Sequence, residues 1–370
     1  MFEGFEHLSF DSPSLTSKKN MLSYGYTINQ ERNMSRMKRA PTLRDVAKLA
    51  DVSSATVSYV LSGRQKGESR ISDETRERIL KAVKELNYVP NHTARSLRRS
   101  RTDRICFLVQ RLGVPSNDHL IRELQEAAEQ HGFSVIVAVG DTPKREQEVL
   151  EQMRRGLADA LVTPNFLHYE MLQPLIEHGI PVAVMNNYVK GPGIDTVKIN
   201  EFEASYQAVR YLIDKGHREI AFIGHSRLKL HPYDRYEGYL QALKDAGIAH
   251  DSRLTIFDAW TRKDAYNSTS SLLQLRPAPS AIFAGADRVA INAILAIRDA
   301  GLKVPDDIAV IGSGNIEEGE VFRPHLTTIG PPKLSFKPLI DLLFTRLQSP
   351  NPAESREAEI RWELIIRESS

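Results

Sequence analysis

The sequence holds one cysteine, Cys106, in 370 residues. No intramolecular disulfide framework can form, and a reducing compartment is expected. Cys106 lies in the apolar run ICFLV and reads as a core residue rather than a catalytic thiol. No apolar stretch approaches the ~20 residues of a bilayer span, and the opening MFEGFEHLSFDSPSLTSKK has no basic segment followed by an apolar one. A cytoplasmic protein without a membrane partner is expected. Signatures of catalysis are missing too. GHSRL at Gly224 lacks the second glycine of a nucleophile elbow, GSGNIE at Gly312 lacks the third glycine of a dinucleotide loop, and there is no H-E-x-x-H or P-loop. The eleven histidines are scattered, and His217 in DKGHREI reads as structural. No catalytic residue, metal or cofactor is expected.

The overall charge is only +2, yet it is unevenly divided. Residues 38–101 carry fifteen Lys/Arg and seven Asp/Glu, a net +8, while residues 1–37 balance and the remainder is acidic at −6. A compact basic front on an acidic body points to a polyanionic partner for the front alone. The chain is long enough, at 41% hydrophobic residues, for two or three folding units.

Residues 1–37 show no sustained period and read as a disordered leader. From Thr42 the pattern changes. Thr42 with Asp45 forms a capping box ahead of Val46, Ala47, Leu49 and Ala50, the apolar face of a first helix. After a turn at Asp51 and Val52, Ser53 caps a second helix with Val57, Val60 and Leu61 inward, ending at Gly63. Ser72 caps a third, with Ile79, Val83 and Leu86 on one face, ahead of Tyr88 and Pro90. The second helix turns Ser54, Ala55, Thr56, Ser58 and Tyr59 outward in place of the Lys/Glu pairs of an ordinary solvated face. Small side chains let a helix backbone approach a groove, and hydroxyls meet phosphates or base edges, so helix-turn-helix recognition of DNA is the functional reading for residues 38–89.

The run TLRDVAKLADVSSATVSYVLSG, followed by SDETRERILKAVKELNYVPNHTARSLRRS, resembles the head-piece of the LacI/GalR family of bacterial transcription regulators. The blocks GHREIAFIG, RYEGYLQAL, GLKVPDDIAVIG and HLTTIG resemble the family's effector-binding domain. The resemblance implies Thr42 and Leu43 near the DNA backbone and Ser53 and Thr56 on phosphates. Ser54, Ala55, Ser58 and Tyr59 would face base edges. Tyr59 stands where several relatives carry Arg, so their operators do not transfer. Arg64, Lys66 and Arg70 in the following loop are read as solvated, with phosphate contact the other option.

NHTARSLRRS is too poor in apolar residues for an isolated helix. In the family the matching residues 90–101 form a hinge helix when two protomers meet on DNA. Asn91 would then cap it, Ala94 and Leu97 would enter the minor groove, and Arg95, Arg98 and Arg99 would lie near phosphates. The other reading is a flexible basic linker.

Residues 102–370 alternate β-branched runs (ICFLV, SVIVAV, ADALVT, PVAVM, DTVKI, EIAFIG, SAIFAG, IAVIG) with amphipathic stretches, which predicts buried parallel strands and a doubly wound α/β body. The expected fold is therefore a small all-α helix-turn-helix head-piece plus an α/β periplasmic-binding-protein-like, two-lobed effector and dimerisation domain. The resemblance implies three crossings between lobes, near Asn200, near Gly330 and in the last segment. It also implies a small-molecule effector in the cleft, held by Asn186, Arg235, Trp260 and Asp287. Ala286, Gly314 and Asn186 depart from the polar groups common in sugar-binding relatives. A differently functionalised ligand, a protein co-regulator and no effector therefore stay open. A homodimer on a pseudo-palindromic, double-stranded operator follows from the small reach of one head-piece. The tail EIRWELIIRESS alternates like a strand and has no leucine heptads. Together these readings describe a DNA-binding transcriptional repressor. The competing reading is a ligand-binding module or carbohydrate-acting enzyme whose basic front tethers it.

Overall fold

Local capping chemistry sets the first three helices. The computed structural model describes residues 41–61, 71–89, 101–164, 169–189, 191–224, 234–257, 259, 261–348 and 354–370. Thr42 precedes α1 (Leu43–Leu49), and the Asp45 carboxylate accepts from the Thr42 N–H at 2.8 Å and from its hydroxyl at 2.7 Å. The chain turns at Asp51, φ 50°, and re-enters as α2 (Ser54–Leu61), where the Thr56 N–H donates to Ser53 Oγ at 3.1 Å. α3 (Asp73–Glu85) starts in the same way on Ser72, with the Thr75 N–H at 3.3 Å. It stops where Asn87 takes φ 47° and the Tyr88 N–H reaches back to the Val83 carbonyl.

Val46, Ala47, Ala50, Val57, Val60, Ile79, Ala82 and Tyr88 close one small core. Leu49, expected on the apolar face of the first helix, is 46% exposed instead. It lies ~60° outside the arc that Val46, Ala47 and Ala50 define at ~100° per residue. The chain separates into two compact units, one ending at Asn91 and the other starting at His92. The expected leader, and the expected hinge apart from Arg101, lie outside the described residues.

The second unit holds two six-stranded sheets, with strands numbered along the chain. The first contains β1 (Arg104–Val109), β2 (Ser134–Val139), β3 (Ala160–Thr163), β4 (Val182–Met185), β5 (Ile194–Ile199) and β11 (Glu357–Ile360), in the order β11-β5-β4-β3-β1-β2. All its neighbours are parallel. α4 (Pro115–Gln130) and α12 (Lys337–Gln348) cover one face around Phe107, Leu124 and Leu343, and α5 (Pro143–Arg154) and α6 (Tyr169–Glu177) cover the other around Met153 and Leu161.

The second sheet contains β6 (Ile220–Ile223), β7 (Thr255–Ile256), β8 (Ala281–Ala284), β9 (Ala309–Ser313), β10 (Thr327–Gly330) and β12 (Glu363–Ile365), in the order β12-β10-β9-β8-β6-β7. Here α7 (Glu201–Asp214) and α8 (Asp234–Asp245) cover one face, α9 (Arg262–Leu272) and α10 (Asp287–Asp299) the other, and α11 (Glu317–Val321) follows β9. α7 and α8 meet closely at Gly238, where an added Cβ would come within 2.4 Å of the Phe202 carbonyl oxygen.

Every strand expected from a β-branched run is present, with three departures. SVIVAV forms an edge strand, so Val137 and Val139 are exposed rather than buried. Among the described residues no helix lies between β4 and its parallel neighbour β5; the connection turns instead on Asn186, whose Oδ1 accepts from the Tyr188 and Val189 N–H groups. The tail is two strands in place of one: β11 is parallel to β5 in the first lobe, and β12 is antiparallel to β10 in the second.

The chain crosses between lobes at Asn200, after Gly330, and at Arg361–Trp362. Two of these crossings are tied together: Asn200 Nδ2 donates to the Trp362 carbonyl at 3.1 Å, and the Trp362 N–H donates to Asn200 Oδ1 at 2.7 Å. The Trp362 ring packs against the cores of both lobes. The carboxyl ends of both sets of parallel strands, where open α/β sheets bind ligands, lead to this hinge region.

Candidate nucleic-acid interface and effector site

α2 of the head-piece is uncharged: residues 54–61 contain no acidic or basic side chain. Val57 and Val60 are buried, Ala55 is exposed, and Ser54, Thr56, Ser58 and Tyr59 are partly exposed. Ser53, exposed, accepts from the Thr56 N–H and pairs with the Thr56 hydroxyl at 2.8 Å, so both expected phosphate contacts sit at the start of the helix. Thr42 and Leu43, both half-buried, open α1. Asn91, Ala94, Arg95 and Leu97 lie outside the described residues.

The described members of the expected effector set approach the cleft from both lobes: Asn187, next to Asn186, is bonded to Asp234, next to Arg235, and Arg235 is bonded to the Gly285 carbonyl, two residues before Asp287. Asn186 belongs to the first lobe. Its Oδ1 accepts from the Tyr188 N–H at 2.6 Å and the Val189 N–H at 2.8 Å, which folds the connection after β4. Arg235, in the second lobe, donates from Nη2 to Glu201 at 2.6 Å and from Nη1 to the Gly285 carbonyl at 2.5 Å. Its guanidinium lies 4.8 Å from the Trp362 ring centroid.

Asp287 opens α10 and is 1% exposed. It accepts from the Ile316 N–H at 2.8 Å and from the Thr328 hydroxyl at 2.5 Å, and burial pushes its carboxyl up to about 6. Asp287 thus pins the chain after β9 rather than facing an open cavity. Gly312 makes room for it, since a Cβ there would stand 2.2 Å from Asp287 Oδ1. Trp260 lies outside the described residues.

Several residues at the cleft escaped sequence reasoning. Asn187 holds both the N–H and the carbonyl of Ile199, at 2.8 and 2.7 Å, and donates across the cleft to Asp234 at 2.6 Å. The Tyr188 hydroxyl donates to the same carboxylate, and burial together with Asp234 holds that phenol protonated well above its ordinary range. On another path between the lobes, Arg288 donates to the Gly113 carbonyl at 2.5 Å and to Glu318 at 3.0 Å. These partners are 47 and 175 positions apart for Asp234 and Gly113, so no local pattern announces them.

Cys106 is buried in β1, which pushes its thiol up to about 12, as an inert core residue requires. Burial lowers His217, whose Nδ1 lies 3.0 Å from Ser280 Oγ. Among the described residues no His/Cys/Asp/Glu group is arranged to hold a metal, and no helix is long and apolar enough to cross a membrane.

Comparison with known proteins supplies the context. The profile described as bacterial regulatory proteins, lacI family, matches residues 42–91, and the periplasmic binding protein-like domain matches residues 209–370. The HTH-type transcriptional repressor PurR of Mannheimia succiniciproducens is 31% identical over 332 residues, covering 89% of this chain and 98% of that protein. The NTD biosynthesis operon regulator NtdR of Bacillus subtilis is 33% identical over 338 residues, covering 89% of this chain and all of that protein. The solved complex of the transcriptional regulator CelR with cellobiose superposes with a TM-score of 0.64 at 28% identity, over 89% of this chain and 100% of that one.

Proposed function

The chain belongs to the lacI family of bacterial regulatory proteins and is a DNA-binding transcriptional regulator; we propose that it acts as a cytoplasmic repressor, gripping a pseudo-palindromic operator as a homodimer. The observation that carries this reading is α2 itself. Its buried valines fix it to the small core, and Ser53 caps it. An uncharged surface with hydroxyls is left outward in a basic segment. Such a helix suits insertion into a major groove, with cations elsewhere in the segment meeting phosphates.

Within this reading Thr42, Leu43, Ser53 and Thr56 contact the DNA backbone, while Ser54, Ala55, Ser58 and Tyr59 meet base edges. Asn91, Ala94, Arg95 and Leu97 serve the linker, residues 90–101, between the DNA-binding domain of residues 38–89 and the two-lobed body from 102. The two matched profiles, over 42–91 and 209–370, support that division. An effector bound in the cleft between the lobes would be held by Asn186, Arg235 and Trp260, with Asp287 fixing the chain after β9. The cellobiose complex of the similar CelR supports a polar, sugar-sized ligand. No reaction is assigned to the body, because the curated relatives are transcriptional regulators.

Titrating affinity for fragments of the host genome against salt tests the proposal. Several neutralised phosphates per protomer predict a loss of at least about a thousandfold between 50 and 200 mM salt. An affinity indifferent to salt, or no binding to DNA, would return the body to the competing reading as a ligand-binding module or carbohydrate-acting enzyme.

A further inference from the structure

The side chains that read single bases most sharply are long and polar. Arg or Lys engages guanine through O6 and N7, Asn or Gln engages adenine through N6 and N7, and Asp or Glu accepts from cytosine N4. Residues 54–61 of this chain, SATVSYVL, contain none of the six. Ser54, Ala55, Ser58 and Tyr59 fall within one arc of ~140° at ~100° per residue, opposite the buried Val57 and Val60. Ala55, within that arc, is exposed.

The arc therefore offers one bare methyl group, two short hydroxyl side chains and one aromatic ring with a hydroxyl at its tip. A lone serine hydroxyl can donate or accept and fixes no single base. The apolar groups do discriminate, because in the major groove only thymine presents a methyl group. The fifteen cations of residues 38–101 all lie outside 54–61, so attraction to the polyanion and choice of base belong to different parts of the head-piece.

We infer that α2 selects its operator half-site through thymine methyl groups, met by Ala55 and Tyr59, and that no side chain of α2 makes the bidentate contact that singles out guanine. This rests on α2 being the helix that enters the groove. The chemical class of the preferred site is then a duplex whose α2-facing positions are A·T pairs, read from the thymine side.

Selection of bound duplexes from a random pool by the full-length chain, followed by single uracil-for-thymine replacements through the enriched half-site, tests the inference. Uracil removes only the 5-methyl group. Two or more adjacent thymines are expected to lose about fourfold in affinity each, the worth of one buried methyl group. Replacing guanines in the same half-site by 7-deazaguanine should change affinity less than twofold at those positions. In the variant Tyr59→Arg, selection should move to guanine at one of the uracil-sensitive positions, because the fork of hydrogen-bond donors is restored.

Enriched half-sites insensitive to uracil but weakened tenfold or more by 7-deazaguanine would overturn the inference and leave DNA binding intact. A Tyr59→Arg protein with the parental base preference would also overturn it, since the choice would then lie outside α2. Enrichment of no sequence at all would bring down the DNA-binding reading itself.

Discussion

Asn187 in the first lobe donates to Asp234 in the second at 2.6 Å, while the same carboxamide holds both backbone groups of Ile199 at the end of β5. Asp234 begins α8, and its neighbour Arg235 is bound to Glu201, the first residue after the Asn200 crossing. The closure of the lobes and the geometry of the hinge are thereby joined through adjacent residues. Ligand entry can shift their balance only by favouring one arrangement of this joint over another.

Asn187→Ala and Asp234→Ala should therefore be non-additive. Each removes a hydrogen bond to a charged group, and a double-mutant cycle in denaturant should return a coupling of about 1–2 kcal/mol. Strict additivity would mean that the bridge contributes nothing to the body's stability.

A second prediction concerns the pair that docks α12. Arg346 and Asp195, 4% and 0% exposed, are joined by two hydrogen bonds at 2.6 and 2.5 Å, and Asp195 also accepts from the Arg356 N–H at 3.0 Å. Arg346→Met strands a buried carboxylate and should cost about 3–5 kcal/mol in chemical denaturation. Adding Asp195→Val should recover most of that loss, because the charge that lacked a partner is gone. A single-variant cost below about 1 kcal/mol would contradict the burial of the pair.

The pH profile of stability carries a third prediction. Burial raises the Asp287 carboxyl from its ordinary value of 3.8 to about 6 in the folded protein. Between those values the folded state holds the extra proton, so this residue's contribution falls as pH rises through the window. Above it the cost levels off at roughly 3 kcal/mol. Asp287→Asn should flatten the profile between pH 4 and 6 and raise stability at pH 7.5. The asparagine can still accept from the Ile316 N–H and donate to the Thr328 hydroxyl. A profile unchanged in that window, or lower stability at pH 7.5, would show that the carboxylate is stabilised rather than penalised where it sits.

The capped helices and most strands were legible because their causes are local. Thr42 with Asp45, Ser53 with Thr56 and Ser72 with Thr75 each act across three residues. Strands such as IAFI and AIFA are buried on both faces, so their side chains alone identify them. The tail was half legible: its alternation announced extended chain, but nothing local told that Arg361 and Trp362 carry it from one sheet to the other. Asp195 and Arg346 lie 151 positions apart and resemble surface charges in the sequence.

The candidate cleft was the least legible part. Arg235 and Asp287 were identified through resemblance, yet their observed partners, Glu201 and Gly285 for one and Ile316 and Thr328 for the other, depend on how distant strand ends converge.

Hydroxyl-radical footprinting of a selected duplex by the full-length chain tests the central claim most directly, because two copies of α2 should occupy neighbouring turns of one groove. Two protected tracts related by a dyad, with centres about 10 base pairs apart, are predicted. A single tract bound by a monomer, or protection without sequence boundaries, would contradict it.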